Sequence, residues 1–447
     1  MKKKVLALLL SATVMAGLLS GCGGIKASGG SGASTAGGKS ESTEGTGEVE
    51  EITMLISGGT WTPGVQAVVE AAEEEIGIRV VVETRPGGPE GDNLIRTRLA
   101  TGDGADIIQA NSGGLLAAFN PHEYFVDLSK EGFKEVLDPM FIDGASVGDE
   151  LFGIPATPFF AGGVVYNREM YEKYNLEIPD TWEELMENIR ILDEAGETAV
   201  LGTYAGSGAT QILWIADTYN LLQEEPDFPA EFEAGRAKWA TTPAALRGFE
   251  KLAEVNPYLN ADPLATTVEE GYSIMANGEA GHWFALSLWL TDAAAIHGFE
   301  QVDNLGMFGV PADAATGIER GMTMWVPTAF YANQASDNID AVLRFFEFYV
   351  SERGQEIFFA NQLAAGPSAV VGVELPENSL YAVSTQIQGY LDTGRTSPAL
   401  EFLTPLKGPN APNITQAIGA GQITPLEGAT QYDEDNAQQA RQLGLDW

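Results

Sequence analysis

Hydrophobic positions in the first part of the folded chain alternate between strand-like runs and helix-like stripes. Residues 52–56 and 78–82 are short apolar runs with β-branched residues, which is typical of buried strands. The segment between them has apolar residues at helical spacing: Val65, Val68, Val69, Ala72 and Ile76. Thr62 can cap this helix, and Pro63 suits its first position. The pattern predicts a strand, a helix and a strand in succession.

The same alternation continues along the chain. A helical segment at 94–99 stops at Gly102, and residues 106–110 form the next predicted strand before the loop 111–114. Such alternation predicts a parallel sheet with helices on both faces. Ligands of these sheets bind beyond the carboxyl ends of the strands, where the loops 57–61 and 111–114 are expected to lie.

Later helices carry clearer start signals. Thr181 and Glu184 have the spacing of a capping box, in which each side chain bonds the backbone of the other residue. A second helix is predicted over 340–350, and Ser351 can cap its continuation. From residue 376 onward the chain is rich in Gly, Pro and Asn, which predicts short helical pieces.

The first 50 residues have the composition of a targeting segment and a linker. Lys2, Lys3 and Lys4 precede the apolar run 5–19, which is the layout of a secretory signal peptide over residues 1–22. The run ends in Leu-Ser-Gly-Cys, which resembles a bacterial lipobox and implies lipidation at Cys22. Residues 23–50 are mainly Gly, Ser, Thr, Ala, Lys and Glu, which predicts a flexible tether.

Composition narrows the classes of function. Cys22 is the single cysteine, so neither an intramolecular disulfide nor a cysteine metal cluster is possible. The remaining stretch of about 400 residues exceeds what one core usually supports, so two lobes are expected. A formal net charge of −39 argues against nucleic acid or an anionic lipid surface as a partner, because both require basic footprints.

Motifs between residues 150 and 186 suggest a family. The chain reads Phe-Gly-Ile-Pro at 152–155, Tyr-Asn at 166–167 and Pro-Asp-Thr-Trp at 179–182. In order and spacing these resemble extracellular solute-binding protein family 1, the sugar-type binding components of ABC importers that include maltose-binding proteins. Residues 277–289 and 345–358 resemble later landmarks of that family.

The resemblance implies an α/β fold of two lobes, each a mainly parallel sheet flanked by helices, with the ligand cleft at the hinge. We expect lobe 1 at 51–160 and 314–350, and lobe 2 at 161–313 and 351–447. The first crossing between lobes is placed near 158–163, where glycines can absorb backbone rotation. A lipid-anchored, extracytoplasmic monomer that delivers its solute to ABC permease subunits is the implied role.

A sugar offers hydroxyls to polar side chains and a C–H face to aromatic rings, so candidate ligand contacts combine both types. Asn111 and Ser112 follow a predicted strand end, although a turn-forming role would also explain them. For the tryptophans the alternative is core packing. The full candidate set is Thr60, Trp61, Asn111, Ser112, Tyr166, Thr210, Gln211, Trp214, Trp283, Trp289, Gly321, Trp325 and Glu401.

Other functions have less support in the sequence. The nucleophile, zinc and phosphate-binding motifs of common enzyme classes are missing, so no catalytic residue, metal ligand or cofactor is expected. A non-sugar solute on the same fold stays open: a polyamine, a peptide, a metal or an anionic glycan, for which Arg96, Arg98 and Arg320 could supply charge. A glycan-active enzyme is the remaining alternative.

Overall fold

The computed structural model describes residues 49–206, 208–376, 381–445 and 447. The predicted signal peptide, Cys22 and nearly all of the predicted tether lie outside the described residues. The strands are β1 Glu50–Ser57, β2 Ile78–Arg85, β3 Ile107–Ala110, β4 Ser146–Val147, β5 Glu150–Leu151, β6 Gly153–Pro155, β7 Phe160–Asn167, β8 Thr198–Leu201, β9 Ala280–Leu286, β10 Leu305–Phe308, β11 Met322–Trp325, β12 Ala329–Ala332 and β13 Thr396–Pro398.

The helices are α1 Pro63–Ile76, α2 Gly88–Thr101, α3 Pro121–Tyr124, α4 Pro139–Gly144, α5 Arg168–Tyr174, α6 Trp182–Glu194, α7 Ile212–Ala216, α8 Thr218–Glu224, α9 Phe228–Glu233, α10 Pro243–Val255, α11 Val268–Ala276, α12 Ser287–His297, α13 Phe299–Asp303, α14 Ile339–Tyr349, α15 Glu352–Asn361, α16 Ala382–Asp392, α17 Ala411–Gly419 and α18 Pro425–Gln442. Short 3-10 turns include Gly113–Phe119 and Leu400–Phe402. The C-terminal part is more regular than expected, because α18 alone has 18 residues.

The local sequence signals are mostly confirmed. The helix α1 begins at Pro63 and buries Val65, Val68, Val69 and Ala72, although the side chain of Thr62 makes no capping hydrogen bond. The predicted capping box of α6 is present in both directions between Thr181 and Glu184. Ser351 accepts a hydrogen bond from the amide of Gly354 and so caps α15.

Two mixed sheets organise the fold, and the α/β class is confirmed. The first has the order β2-β1-β3-β12-β6, and the second has β13-β11-β7-β9-β8 with β10 also paired to β7. The first three strands pair in parallel as expected. Pairings of β12 with β3 and β6, and of β7 with β9, β10 and β11, are antiparallel. In each sheet all strands but one run in the same direction, so each sheet is mainly parallel as expected. The exceptions are β12 in the first sheet and β7 in the second, and each of these strands enters from the other sheet.

The chain crosses between the sheets in residues 156–159 and again in 326–328. The strand β11 lies in the second sheet, and Arg353 at the start of α15 pairs with Glu75 of α1 at 2.8 Å. The structure therefore differs from the expected boundaries at 314 and 351. The strand β11, expected in lobe 1, pairs within the second sheet, and α15, expected in lobe 2, contacts α1. The remaining lobe boundaries stay a prediction.

The glycines placed at the first crossing have a different role from the expected one. Gly162 lies inside β7, where an added Cβ would come within 2.3 Å of the Trp325 ring. A Cβ on the neighbouring Gly163 would approach the carbonyl oxygen of Phe308 to 2.5 Å. These positions therefore serve close packing of β7 against its neighbours, not backbone rotation.

Candidate ligand-binding cleft

A cavity of about 320 Å³ lies where both crossings meet the carboxyl ends of β1 and β3. That volume is at the lower end of the usual range for small-molecule sites. The cavity is lined by Gly59, Thr60, Thr62, Asn111, Leu115, Thr157, Pro158, Phe160, Leu288, Trp325, Val326, Thr328, Gln362, Ala365, Glu401 and Phe402. The position is the one expected from strand direction, because loops at the carboxyl edge of a sheet converge there.

One wall of the cleft is aromatic. The rings of Phe160 and Trp325 stack with centroids 6.0 Å apart and an interplanar angle of 21°. Trp325 ends β11 and Phe160 begins β7, and the register pairs these two residues directly. The antiparallel pairing therefore fixes both rings on one side of the cleft, beside the apolar side chain of Leu288. Flat apolar walls of this kind suit the C–H face of a ring-shaped ligand.

Neutral hydrogen-bonding groups make up much of the rest of the lining. The hydroxyls of Thr62 and Thr328 are buried and have no hydrogen-bond partner among the described residues. The Gln362 side-chain oxygen accepts from the amide of Gly64 at 3.2 Å. Thr60 Oγ1 lies 2.9 Å from Ser57 Oγ. Because buried polar groups are normally paired, the two unpartnered hydroxyls mark places where a polar ligand atom or water would be favourable.

A buried polar network holds the strand ends beneath this lining. The guanidinium of Arg85, at the end of β2, donates to the carbonyl of Gln109 at 2.7 Å, and the Gln109 side-chain oxygen accepts from the amide of Ser57 at 2.9 Å. Burial lowers the pKa of Arg85, while burial of Asp92 raises the pKa of that carboxyl against the opposing charge of Arg85. The side-chain Nδ2 of Asn111 lies 3.5 Å from Oδ2 of Asp92. The ends of β1, β2 and β3 are thereby cross-linked, and the loop after β3 is joined to α2.

Among the described residues, the lining carries one ionisable side chain, Glu401. It lies in the 3-10 turn after β13, and its carboxylate contacts the ammonium group of Lys407. This turn packs on the loop after β3 so closely that a Cβ on Gly113 would come within 2.6 Å of the Phe402 backbone. A Cβ on Gly114 would come within 2.5 Å of the carbonyl of Thr404. The two glycines allow the C-terminal turn to complete the cleft.

Four of the predicted ligand contacts line the cleft: Thr60, Asn111, Trp325 and Glu401. Two others lie beside it with different contacts. Trp61 is partly buried and packs against the hydrophobic core that contains residues of β1, β3 and α1. Ser112 is 1% exposed and donates to the carbonyl of Pro327 at 2.8 Å, so it fastens the second crossing to β3.

Three of the predicted tryptophans, Trp214, Trp283 and Trp289, pack in or against hydrophobic cores and do not line the cleft. Trp214 is 4% exposed and stacks on Phe249 with centroids 5.0 Å apart. Trp283 is 1% exposed, and its indole N–H donates to Thr203 at 3.1 Å. Trp289 stacks on Trp283 at 5.2 Å. Each of these three rings has an aromatic neighbour and lies outside the cleft lining, and contact of any of them with a ligand stays a prediction.

The remaining polar candidates also have structural neighbours outside the cleft lining. Thr210 is buried and donates to the carbonyl of Pro412 at 3.0 Å. Gln211 follows it at the start of α7. The hydroxyl of Tyr166 accepts a hydrogen bond from the side-chain amide of Gln386 at 3.3 Å. Gly321 leaves room for the ring of Tyr219, because an added Cβ at position 321 would come within 2.1 Å of that ring.

Several lining residues are not among the candidates that the sequence indicates, chiefly Thr157, Phe160, Leu288, Thr328 and Gln362. Phe160 lies inside the segment predicted for the first crossing, so its position at the hinge could have indicated a place near the cleft. Gln362 and Leu288 follow or begin helices that have no nearby strand-end signal. Their place in the cleft depends on how distant elements pack.

Comparisons with known proteins agree with this architecture. The profile of the bacterial extracellular solute-binding protein family matches residues 58–356. The structure is similar to a putative binding protein, MsmE, from Bacillus subtilis subsp. subtilis str. 168, with a TM-score of 0.73 and 17% identity over 88% of this chain and 98% of that one. It is also similar to a Bacillus licheniformis sugar transporter in complex with stachyose, with a TM-score of 0.66, 19% identity, and coverage of 88% and 99%.

A curated relative, the multiple sugar-binding protein of Streptococcus mutans, is 22% identical over 118 residues. That match spans 26% of this chain and 28% of the relative's length. Among the described residues, no helix has both the length and the apolarity to cross a bilayer. The family profile covers well over half of the chain, and the chain belongs to the bacterial extracellular solute-binding protein family.

Proposed function

We propose that this protein captures a neutral mono- or oligosaccharide in the cleft and delivers it to an ABC permease, and that it is a receptor rather than an enzyme. The observation that carries the proposal is the composition of the cleft. An aromatic wall of Phe160 and Trp325 faces a lining of neutral hydroxyl and amide groups, which is the pair of surfaces that a sugar ring requires. The names of the relatives, which include sugar receptors, agree with it.

The charges around the cleft favour a neutral ligand over the alternatives. A polyamine would need unpaired carboxylates, whereas Glu401 is paired with Lys407. An anionic glycan would need free arginines. Arg98 pairs with Glu83 at 2.7 Å, and Arg320 bonds Tyr390 and Asp180, and neither arginine lines the cleft.

A ligand screen on the purified protein tests this function. Galactose, raffinose, stachyose and chitin oligosaccharides are compared with spermidine, a short peptide and divalent metal ions in a thermal-shift assay, with calorimetry for any hit. A ligand at 100 times its dissociation constant adds about 2.7 kcal/mol of stability. A shift with a sugar is the expected result. A shift with spermidine or a metal and with no sugar would contradict the carbohydrate assignment.

We also propose that residues 1–22 are a signal peptide and that lipidation of Cys22 tethers the protein to the outer face of the cell membrane. The support is the basic start, the apolar run and the lipobox-like tetrad ending at Cys22. A Cys22→Ser variant should leave the membrane fraction and appear in the soluble extracytoplasmic fraction, while a matched Ser20→Ala variant should stay bound. Retention of the Cys22→Ser variant in membranes after alkaline washing would refute the anchor.

A further inference from the structure

Glu401 lies between the ligand-binding cleft and a second, smaller cavity. That smaller cavity, of about 20 Å³, is lined by Trp214, Trp239 and Tyr432 among others, and both cavities share Glu401. The side chain of Glu401 is 19% exposed and that of its partner Lys407 is 34% exposed. The ion pair is therefore partly screened from solvent at the edge of the cleft.

The loop that carries both residues is fixed at several points. The amide of Gly408 donates to the side chain of the fully buried Asn436 on α18 at 2.9 Å, and Thr404, which is 1% exposed, accepts from the amide of Leu406 at 3.3 Å. Glu401 and Lys407 are six residues apart on this loop, and these hydrogen bonds hold the backbone on either side of Lys407 in place.

The net negative charge of the molecule makes the pairing of Glu401 with Lys407 relevant to which ligands the cleft attracts. The chain has 63 acidic and 24 basic residues, and its field attracts cations. A single unpaired carboxylate in a recessed, low-dielectric groove would add a strong local site for an ammonium group. Lys407 supplies the opposite charge next to the only carboxylate that lines the cleft, as far as the described residues go.

We propose that Lys407 is a specificity-determining residue, which balances the charge of Glu401 so that the carboxylate accepts hydroxyl groups of a neutral sugar and does not select an amino sugar. This inference rests on the proposed sugar-binding function. Lys407 itself does not line the cleft and acts through Glu401, so it is a positioning residue. The chemistry involved is hydrogen bonding to an ionised acceptor, which is stronger than bonding between neutral groups.

The test measures binding of paired neutral and amino sugars by calorimetry, at a pH at which the amino sugars carry an ammonium group. The pairs are galactose with galactosamine, glucose with glucosamine, and diacetylchitobiose with its deacetylated form. In the Lys407→Met variant the affinity for the amino member, relative to the neutral member, should rise at least five-fold. The matched control is Lys173→Met, because Lys173 also pairs with a glutamate, Glu197 at 2.7 Å, but Glu197, unlike Glu401, does not line the cleft.

A second variant keeps the test decisive if Lys407→Met folds poorly. Glu401→Gln should weaken the neutral sugar at least five-fold without any gain for the amino sugar, and the Glu401→Gln/Lys407→Met double variant should lose the amino-sugar preference. An unchanged ratio in Lys407→Met, or the same change in Lys173→Met, would overturn the specificity role while leaving sugar binding intact. Failure of the wild-type protein to bind any of these sugars would instead overturn the proposed function, and this inference with it.

Discussion

The buried histidine on β9 gives a prediction that does not depend on any ligand. His282 is fully buried, and its Nδ1 lies 2.9 Å from the carbonyl of Ala199 while its Nε2 lies 2.8 Å from the Tyr171 hydroxyl. A neutral imidazole with its proton on Nδ1 satisfies both contacts, donating to the carbonyl and accepting from the hydroxyl. Burial lowers the pKa of His282 from an ordinary value of 6.5 to about 4. The folded protein therefore holds this residue neutral where an unfolded chain would protonate it.

The size and sign of the effect follow from proton linkage. Between pH 6.5 and about 4 the unfolded state binds a proton at His282 that the folded state does not, so the free energy of unfolding falls as the pH falls. Each pH unit corresponds to about 1.4 kcal/mol, which gives a total on the order of 3 kcal/mol across the interval. Below that interval both states are protonated and this contribution stays lost; above it the contribution is fully present.

Urea unfolding followed by tryptophan fluorescence, at several pH values from 7 to 4, measures this loss. A His282→Asn variant retains a donor for the Ala199 carbonyl but has no titrating imidazole, so its stability should fall less steeply than that of the wild type. Because carboxylates titrate in both proteins, the readout is the difference between the two curves. An Ile189→Val variant, altered in the core of the same lobe, controls for general destabilisation and should keep the wild-type slope. Parallel curves for wild type and His282→Asn would refute the reasoning.

Three further predictions concern the cleft and the second lobe. Trp325→Ala removes half of the aromatic wall and should weaken binding of a neutral sugar by about 1–3 kcal/mol in calorimetry; undiminished affinity would contradict stacking. Gly114→Ala places a methyl group 2.5 Å from the Thr404 carbonyl and should lower the free energy of unfolding in urea by about 1–3 kcal/mol, whereas no loss would mean that the C-terminal turn moves freely. In the wild type the Lys251 ammonium group lies 2.6 Å from the buried Asp217 carboxylate, and Lys251→Met leaves that carboxylate without this counter-ion. The free energy of unfolding should fall by about 3–5 kcal/mol, and adding Asp217→Leu to the same chain should recover much of the loss.

Local sequence patterns determined the elements and the fold class. The strand-helix-strand succession from β1 to β2, the start of α1 at Pro63 and the capping box at Thr181 all depend on residues within a few positions of each other. Hydrophobic periodicity and capping act over one or two turns, so one sequence is enough to reveal them. The motifs at 152–155 and 179–182 likewise indicated the family.

Tertiary structure alone decided which side chains meet in the cleft. Trp283 lies within β9 and Trp325 ends β11, yet Trp283 is enclosed in a core and Trp325 lines the cleft beside Phe160. Trp325 meets Phe160 through the pairing between β7 and β11, which are more than 150 residues apart in the chain, whereas Trp283 is opposite Val165 on the same strand β7. The need for glycine at Gly113, which the close approach of the Phe402 backbone imposes, was hidden for the same reason. Burial and close packing depend on contacts between distant segments, and a local sequence pattern does not specify those contacts.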